Sequence, residues 1–232
     1  MAKAIALVVG AGPGLGSALA RRFAKAGMTV AVARRNADKL QDLAKEIGGR
    51  AYACDVADAA SVAALFEAVE RDLGAPNLVA FNAGAYMRGG ILEIAPEDFE
   101  RCWRIGCMGG FLVGQAAARR MVPAGQGTIL FTGATAALRG SAGFANLAVP
   151  KFGLRALAQS MARELGPKGV HVAHVIIDGQ IAGERPGYRP EERGQDAVLS
   201  PDAIAEAYLQ VHQQPRSAWT QELDLRPYVE KF

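Results

Sequence analysis

The chain has 232 residues, half of them hydrophobic and 21% charged, with a formal net charge of +3. Such a balance can bury a large core and excludes a disordered chain. The basic residues form no run that would mark a nucleic-acid surface, so no nucleic-acid partner is expected. Cys54, Cys102 and Cys107 have no CxxC spacing, which argues against a disulfide framework or a metal site and fits reduced thiols in a cytoplasmic protein. No apolar run reaches the roughly 18 residues needed to cross a membrane.

The first apolar run, "AIALVV" (4–9), reads as a buried strand rather than a signal peptide, because glycines follow too soon. "GSALARRFAKAG" reads as a helix that Gly27 ends in a left-handed cap. A second strand is predicted over 28–33. Asn36 then caps a helix over "ADKLQDLAKEI", stopped by Gly48-Gly49. "RAYAC" is a third strand, Asp58 or Ser61 starts the next helix, and "NLVAF" (77–81) is a fourth strand. Pro96 suits the first turn of a helix that runs towards Met121 with a break near Gly106. Strands over 127–133 and 169–177 flank a helix containing Lys151, whose start Pro150 is expected to delay. Ser200-Pro201 caps a helix to about Gln213, and "WTQELDL" forms the last strand. The apolar, aromatic tail from Ser217 to Phe232 is expected to pack in a subunit interface or on the last strand. Strand–helix alternation of this length predicts an α/β fold: one domain over 1–232, with a parallel sheet of about seven strands covered on both faces.

"GAGPGLG" (10–16) follows the first strand and opens into a helix. Glycines there let the backbone turn tightly and a pyrophosphate approach, and the helix N-terminus favours the phosphate charge. In this strand–loop–helix–strand context the pattern is a Rossmann-type dinucleotide fingerprint, with Gly10, Gly12, Gly14, Leu15 and Gly16 as its residues. An NAD site usually places a carboxylate at the end of the second strand. Here Arg34-Arg35 stand there, suited to a 2′-phosphate, so NADP(H) is expected over NAD(H).

The sequence resembles the short-chain dehydrogenase/reductase family along nearly its whole length. The resemblance rests on "GAGPGLG", "CDVAD" (54–58), "FNAG" (81–84) and "RELGPKGVHVAHVIIDG" (163–179). It implies a nicotinamide cofactor contacted by Asp55, Val56, Asn82, Ala83, Gly84, Gly179 and Lys151, and homodimers or homotetramers paired through the long helices. It also implies a catalytic set of asparagine, serine, tyrosine and lysine. Three of those positions map to residues that cannot do that chemistry. The tyrosine position, four before Lys151, is Leu147; the serine position is Ala134; the asparagine position is Gly106. Leucine and alanine have no exchangeable proton.

Several groups could take over. Lys151 itself can act as an acid if desolvated, or can simply bind ribose. Thr135 is one residue from the serine position, Asp178 stands before Gly179, and Tyr86 follows the fourth strand. His171 and His174 read as core residues rather than catalytic ones. Residues 178–200 suit a lid over a small-molecule substrate, with Arg185, Arg189 and Arg193 available to an acidic one. Two functions are therefore open: an NADP(H)-dependent oxidoreductase acting on a carbonyl, hydroxyl or activated alkene with a non-standard proton donor, or an inactive nucleotide-binding protein that works through a partner.

Overall fold

A computed structural model describes residues 3–183 and 196–230. The centre of the expected lid, with Arg185, Arg189 and Arg193, lies outside the described residues. Seven strands form one parallel sheet: β1 (Ile5–Val9), β2 (Thr29–Arg34), β3 (Arg50–Ala53), β4 (Leu78–Phe81), β5 (Gly127–Thr132), β6 (Val170–Ile177) and β7 (Glu222–Leu225). Their order is β3-β2-β1-β4-β5-β6-β7. β1, β4 and β6 are buried along their whole length, which explains their continuous apolar runs.

Helices α1 (Leu15–Lys25), α2 (Gln41–Glu46) and α7 (Pro201–His212) cover one face, around Phe23 and Tyr208. On the other face α3 (Ala59–Asp72), α5 (Gly109–Ala124) and α6 (Ala145–Leu165) enclose Phe66, Phe81 and Phe131. The rings of Phe81 and Phe131 meet edge to face at 6.2 Å, an arrangement worth about 1 kcal/mol beyond the area it buries. α4 (Pro96–Trp103) leads into α5 and lies against α6. The strand order reverses at β1 and β4, and the crevice at their C-terminal ends is where sheets of this type bind ligands.

The local signals act much as the sequence implies, with three adjustments. Asn36 caps a 3₁₀ turn, Ala37–Leu40, ahead of α2, its Oδ1 accepting the Asp38 N–H at 3.0 Å. Asp58, not Ser61, caps α3; the Ser61 hydroxyl instead accepts the Asp55 N–H at 3.0 Å. The helix break near Gly106 is a π-helical turn, Arg104–Met108, between α4 and α5.

Pro150 does not delay α6, contrary to the sequence expectation. The N–H groups of Leu147 and Ala148 both donate to the Phe144 carbonyl, at 2.9 and 2.8 Å, and close the first turn ahead of the proline. Pro150 then sits inside the helix, giving up one backbone hydrogen bond. Its ring faces Gly106, where a Cβ would come within 3.0 Å of the Pro150 Cβ. The ring Cγ would be 3.7 Å away, an ordinary contact, so a side chain at 106 would need the Pro150 Cβ to give by a few tenths of an ångström.

The tail packs on its own sheet as far as β7. Trp219 stacks on His171 with ring centres 4.7 Å apart, and Tyr228 beyond it is exposed.

Candidate functional site

The Gly10 and Ala11 N–H groups donate to the Ala33 carbonyl at 2.9 and 3.0 Å, tying the end of β1 to β2. Asn82 closes the other side, its N–H donating to Val9 O at 2.8 Å and its Nδ2 to Gly10 O at 3.2 Å. Gly10 has φ +87°, and a Cβ there would land 2.4 Å from the Ala83 nitrogen, so both conformation and space demand glycine. The Ser17 hydroxyl donates to Gly12 O at 2.8 Å and fixes the far end of the loop. Gly14 caps α1 at φ 87°, and no side chain caps that helix. Leu15 and Gly16 are buried in its first turn. The end of α1 thus keeps its uncapped dipole for an anion.

These elements border a cleft of about 600 Å³. Gly10 and Gly12 line one wall, Asp55 and Val56 another, and Asn82, Ala83 and Gly84 the floor towards β4. Arg34 and Arg35 line its β2 end, with an Arg34 Nη1 only 3.9 Å from where a Gly12 Cβ would be. Lys39 lines the same end. It escaped the sequence reading because only the turn capped by Asn36 brings it back beside the arginines. Cys54 also borders the cleft, but burial pushes its thiol up to about 11, which leaves it unreactive.

Lys151 and Gly179 do not line this cleft; they stand further along the sheet, at α6 and beyond β6. Lys151 is 8% exposed, and its Nζ donates to the Thr132 carbonyl at 2.6 Å. The Thr132 hydroxyl pairs with Tyr208 Oη at 2.8 Å on the other face of the sheet. Burial pulls the Lys151 ammonium down to about 8, a desolvation of roughly 3 kcal/mol. Gly179, at φ +145°, packs on Pro227.

Ala134 precedes a 3₁₀ turn, Thr135–Ala137, after β5. Thr135 and Asp178 come together: the threonine hydroxyl donates to Asp178 Oδ1 at 2.6 Å. Asp178 is buried, and Arg226 Nη2 lies 3.5 Å from its other oxygen. Its carboxylate therefore serves a neighbouring element rather than its own turn.

Leu147 is half-buried one turn before Lys151, and Tyr86 belongs to a segment laced onto the start of α6. The Tyr86 and Phe144 rings stack at 5.4 Å, the Arg88 guanidinium lies 5.6 Å from the Phe144 ring centre, and the Gly89 N–H donates to Gly143 O at 3.2 Å. Asn146, which the sequence did not single out, is buried there; its Nδ2 donates to Met87 O at 3.3 Å while its Oδ1 has no partner. No sequence signal marks it except its four-residue spacing from buried Pro150. His171 and His174 are buried in β6, as expected of core residues.

The ends of the 178–200 segment meet. Ala182 N–H donates to Leu199 O, and Leu199 N–H to Gln180 O, each at 2.8 Å. No helix among the described residues is long and apolar enough to cross a membrane.

A family model for short chain dehydrogenases matches residues 4–182. D-threitol dehydrogenase of Mycolicibacterium smegmatis is 35% identical over 173 residues, 72% of this chain and 66% of that protein. Human (3R)-3-hydroxyacyl-CoA dehydrogenase is 32% identical over 193 residues, 77% of this chain and 74% of that protein. Among solved structures, a short-chain dehydrogenase from Rhodopseudomonas palustris superposes with a TM-score of 0.84 at 44% identity, covering 97% of this chain and 99% of the other. A metagenomic short-chain oxidoreductase in complex with NADP superposes at 0.86 and 25% identity, covering 99% of both chains.

Proposed function

Because the chain belongs to the short-chain dehydrogenase family, we propose that it is an NADP(H)-dependent oxidoreductase of a small carbonyl, hydroxyl or activated-alkene substrate, with Lys151 in place of tyrosine as the proton donor. The observation that carries this reading is the buried Lys151 ammonium, brought down to about 8 beside side chains that hold no exchangeable proton. On this alignment Leu147, Ala134 and Gly106 occupy the tyrosine, serine and asparagine positions.

The cleft fits a nicotinamide dinucleotide. Its volume falls in the usual range for cofactor sites, Gly10 leaves no Cβ in the way, and α1, which follows the glycine loop, has no side-chain cap. Arg34, Arg35 and Lys39 would hold a 2′-phosphate, which NAD lacks; the solved relative with NADP supports the same preference. Asp55 and Val56 would meet the adenine, and Asn82, Ala83 and Gly84 the dinucleotide's middle. When bound, the nicotinamide supplies or accepts the hydride. In the reducing direction Lys151 gives its Nζ proton to the substrate oxygen or to the alkene carbon. The neutral amine that remains keeps an N–H for the Thr132 carbonyl, so the head stays in place through the cycle. Asp178 holds Thr135 rather than offering a free base. The described ends of the 178–200 segment, bridged at Ile181 and Leu199, would flank the substrate.

The same reading makes the protein a homo-oligomer. Trp103, Phe111, Val149 and Phe152 are exposed on α4, α5 and α6, and pairing along these helices would bury them. Gel filtration at the mass of one chain counts against it.

The test is a fluorescence titration with NADPH and NADH, followed by a screen of ketones, quinones and enones for cofactor oxidation. Absence of NADPH binding at high micromolar concentration overturns the proposal. Binding without turnover of any substrate class favours the inactive nucleotide-binding reading. Lys151→Met is expected to abolish turnover at saturating NADPH; turnover retained with weaker binding would make Lys151 a ribose ligand only.

A further inference from the structure

Most arginines among the described residues grip a carboxylate or a backbone carbonyl. The side chains of Arg34, Arg35, Arg88, Arg119 and Arg139 make neither contact there. Arg34 and Arg35 line the cofactor cleft. Arg88 stands on the segment that follows β4, which backbone, side chain and ring all tie to the start of α6. The Gly89 N–H donates to Gly143 O at 3.2 Å, Asn146 Nδ2 donates to Met87 O at 3.3 Å, and Tyr86 stacks on Phe144 with ring centres 5.4 Å apart. Asn146 is 2% exposed, so its tie is shielded from water. The Arg88 stem runs along Gly143, where a Cβ would be 3.5 Å from Arg88 Nε. Its guanidinium lies 5.6 Å from the Phe144 ring centre, near enough for the ring's negative face to hold it. Ring and backbone thus orient the guanidinium, and its N–H donors have no acceptor among the described residues.

Phe144 also leads along α6 to Lys151. Its carbonyl accepts from the Leu147 N–H at 2.9 Å, and Leu147 shares a helix face with Lys151, four residues on. Lys151 is seven residues after Phe144, a rise of roughly 10 Å. Half-buried Leu147 stands between them, and Tyr86 is 45% exposed beside Phe144. A ligand that reacts beside Lys151 and follows this line meets apolar surface first and then a cation without a counter-charge. The planar fork of one guanidinium matches a carboxylate in both shape and charge. Arg34, Arg35 and Lys39 together suit the greater charge of a phosphate.

We propose that Arg88 determines substrate specificity: it pairs with a carboxylate that an apolar body of about 10 Å joins to the reacting carbon. That body lies over Leu147 and the Tyr86–Phe144 stack. The substrate class is therefore an apolar carbonyl or hydroxy acid whose acid group is remote from the carbon that exchanges hydride. The inference rests on the reading that the substrate reacts beside Lys151, but its first readout is binding and needs no turnover.

The experiment is a calorimetric titration of the full chain, with and without saturating NADPH. The probes are a methyl-ketone acid long enough for the span, 9-oxodecanoate, its uncharged methyl ester, and the shorter keto acid levulinate with its own ester. The wild type is expected to bind 9-oxodecanoate about fivefold or more tightly than the ester, a gap that allows for the exposure of Arg88. The gap should narrow as salt is raised to about 1 M. Arg88→Met keeps an unbranched stem against Phe144 and removes the charge, so the acid should lose its advantage over the ester. Arg88→Lys should retain part of it. Equal affinity for acid and ester in the wild type, or binding of neither, overturns the proposal. So does an equal loss of acid and ester in Arg88→Met, the mark of a residue that only packs on Phe144, and so does a levulinate gap as wide as that of 9-oxodecanoate. If Arg88→Met fails to fold, the wild-type gap, its salt dependence and Arg88→Lys decide. Acid binding through Arg88 with no probe reduced would sink the oxidoreductase reading and leave the carboxylate anchor standing. Reduction of acid and ester with equal kcat/KM would do the reverse.

Discussion

Around β1, β2 and β3 the crevice is lined by backbone and cations: a glycine loop held by Ala33 and Asn82, an uncapped helix end, and Arg34, Arg35 and Lys39. Around β5 and α6 stand Ala134, Leu147 and the Tyr86–Phe144 stack, and the polar groups there turn inward to protein partners. The first region is built to meet something from outside, the second to satisfy itself. In the proposed function, holding a dinucleotide and moving a proton fall to separate parts of one sheet.

The separation can be broken most severely at Gly10. Gly10→Val puts a branched side chain where a Cβ already meets the Ala83 backbone, so NADPH affinity should fall by at least ~100-fold; a titration giving unchanged affinity would mean the cofactor binds elsewhere. Arg34→Ala combined with Arg35→Ala removes two charge-assisted contacts, with an expected NADPH loss of about 10- to 100-fold and little change for NADH. An equal loss for both cofactors would show that the arginines do not read the 2′-phosphate.

On the α6 side the expected effects are on stability. His174 is held down to about 4, against an ordinary 6.5. Between those values the unfolded chain binds the extra proton, so stability falls as pH falls through that window. The loss is about 2 kcal/mol at pH 5, and the His174→Leu variant should lack that part of the slope in melts from pH 7 to 5. Lys151 also has a lowered value, about 8 against 10.5, so the folded state carries its penalty below pH 8 and sheds it as pH rises towards 10.5. Lys151→Met should therefore gain about 1 kcal/mol or more at pH 7, once the lost bond to Thr132 is deducted. A destabilised variant would mean that this bond outweighs the burial of the charge.

Much of this was legible in the sequence, for reasons that vary by element. Strands such as β1 and β6 declare themselves because both faces are buried, and Asn36, Asp58 and Ser200 declare helix starts because capping is local. The glycine loop was legible because its spacing between a strand and a helix is itself the signal, although Gly10 answers to Ala83 far along the chain. What escaped depends on distance along the chain. Thr135 meets Asp178 across 43 residues, His174 meets Glu222 only once β6 and β7 share a register, and Lys39 joins the arginines through a turn that spacing alone does not specify. The start of α6 was misjudged because proline was weighed by itself, without the Phe144 carbonyl that closes the first turn ahead of it.

The contact between Gly106 and Pro150 bears on how the site could be rebuilt. A Cβ at 106 would meet the Pro150 Cβ at 3.0 Å, an atom that every residue but glycine keeps at 150, while the ring Cγ stands 3.7 Å away. Replacing Pro150 would restore a backbone donor for the Asn146 carbonyl and leave that contact in place. Room for asparagine at 106 must therefore come from a shift of a few tenths of an ångström between the π-helical turn and α6, and a library that varies 106, 134 and 147 should return asparagine at 106 only in clones that accommodate that shift.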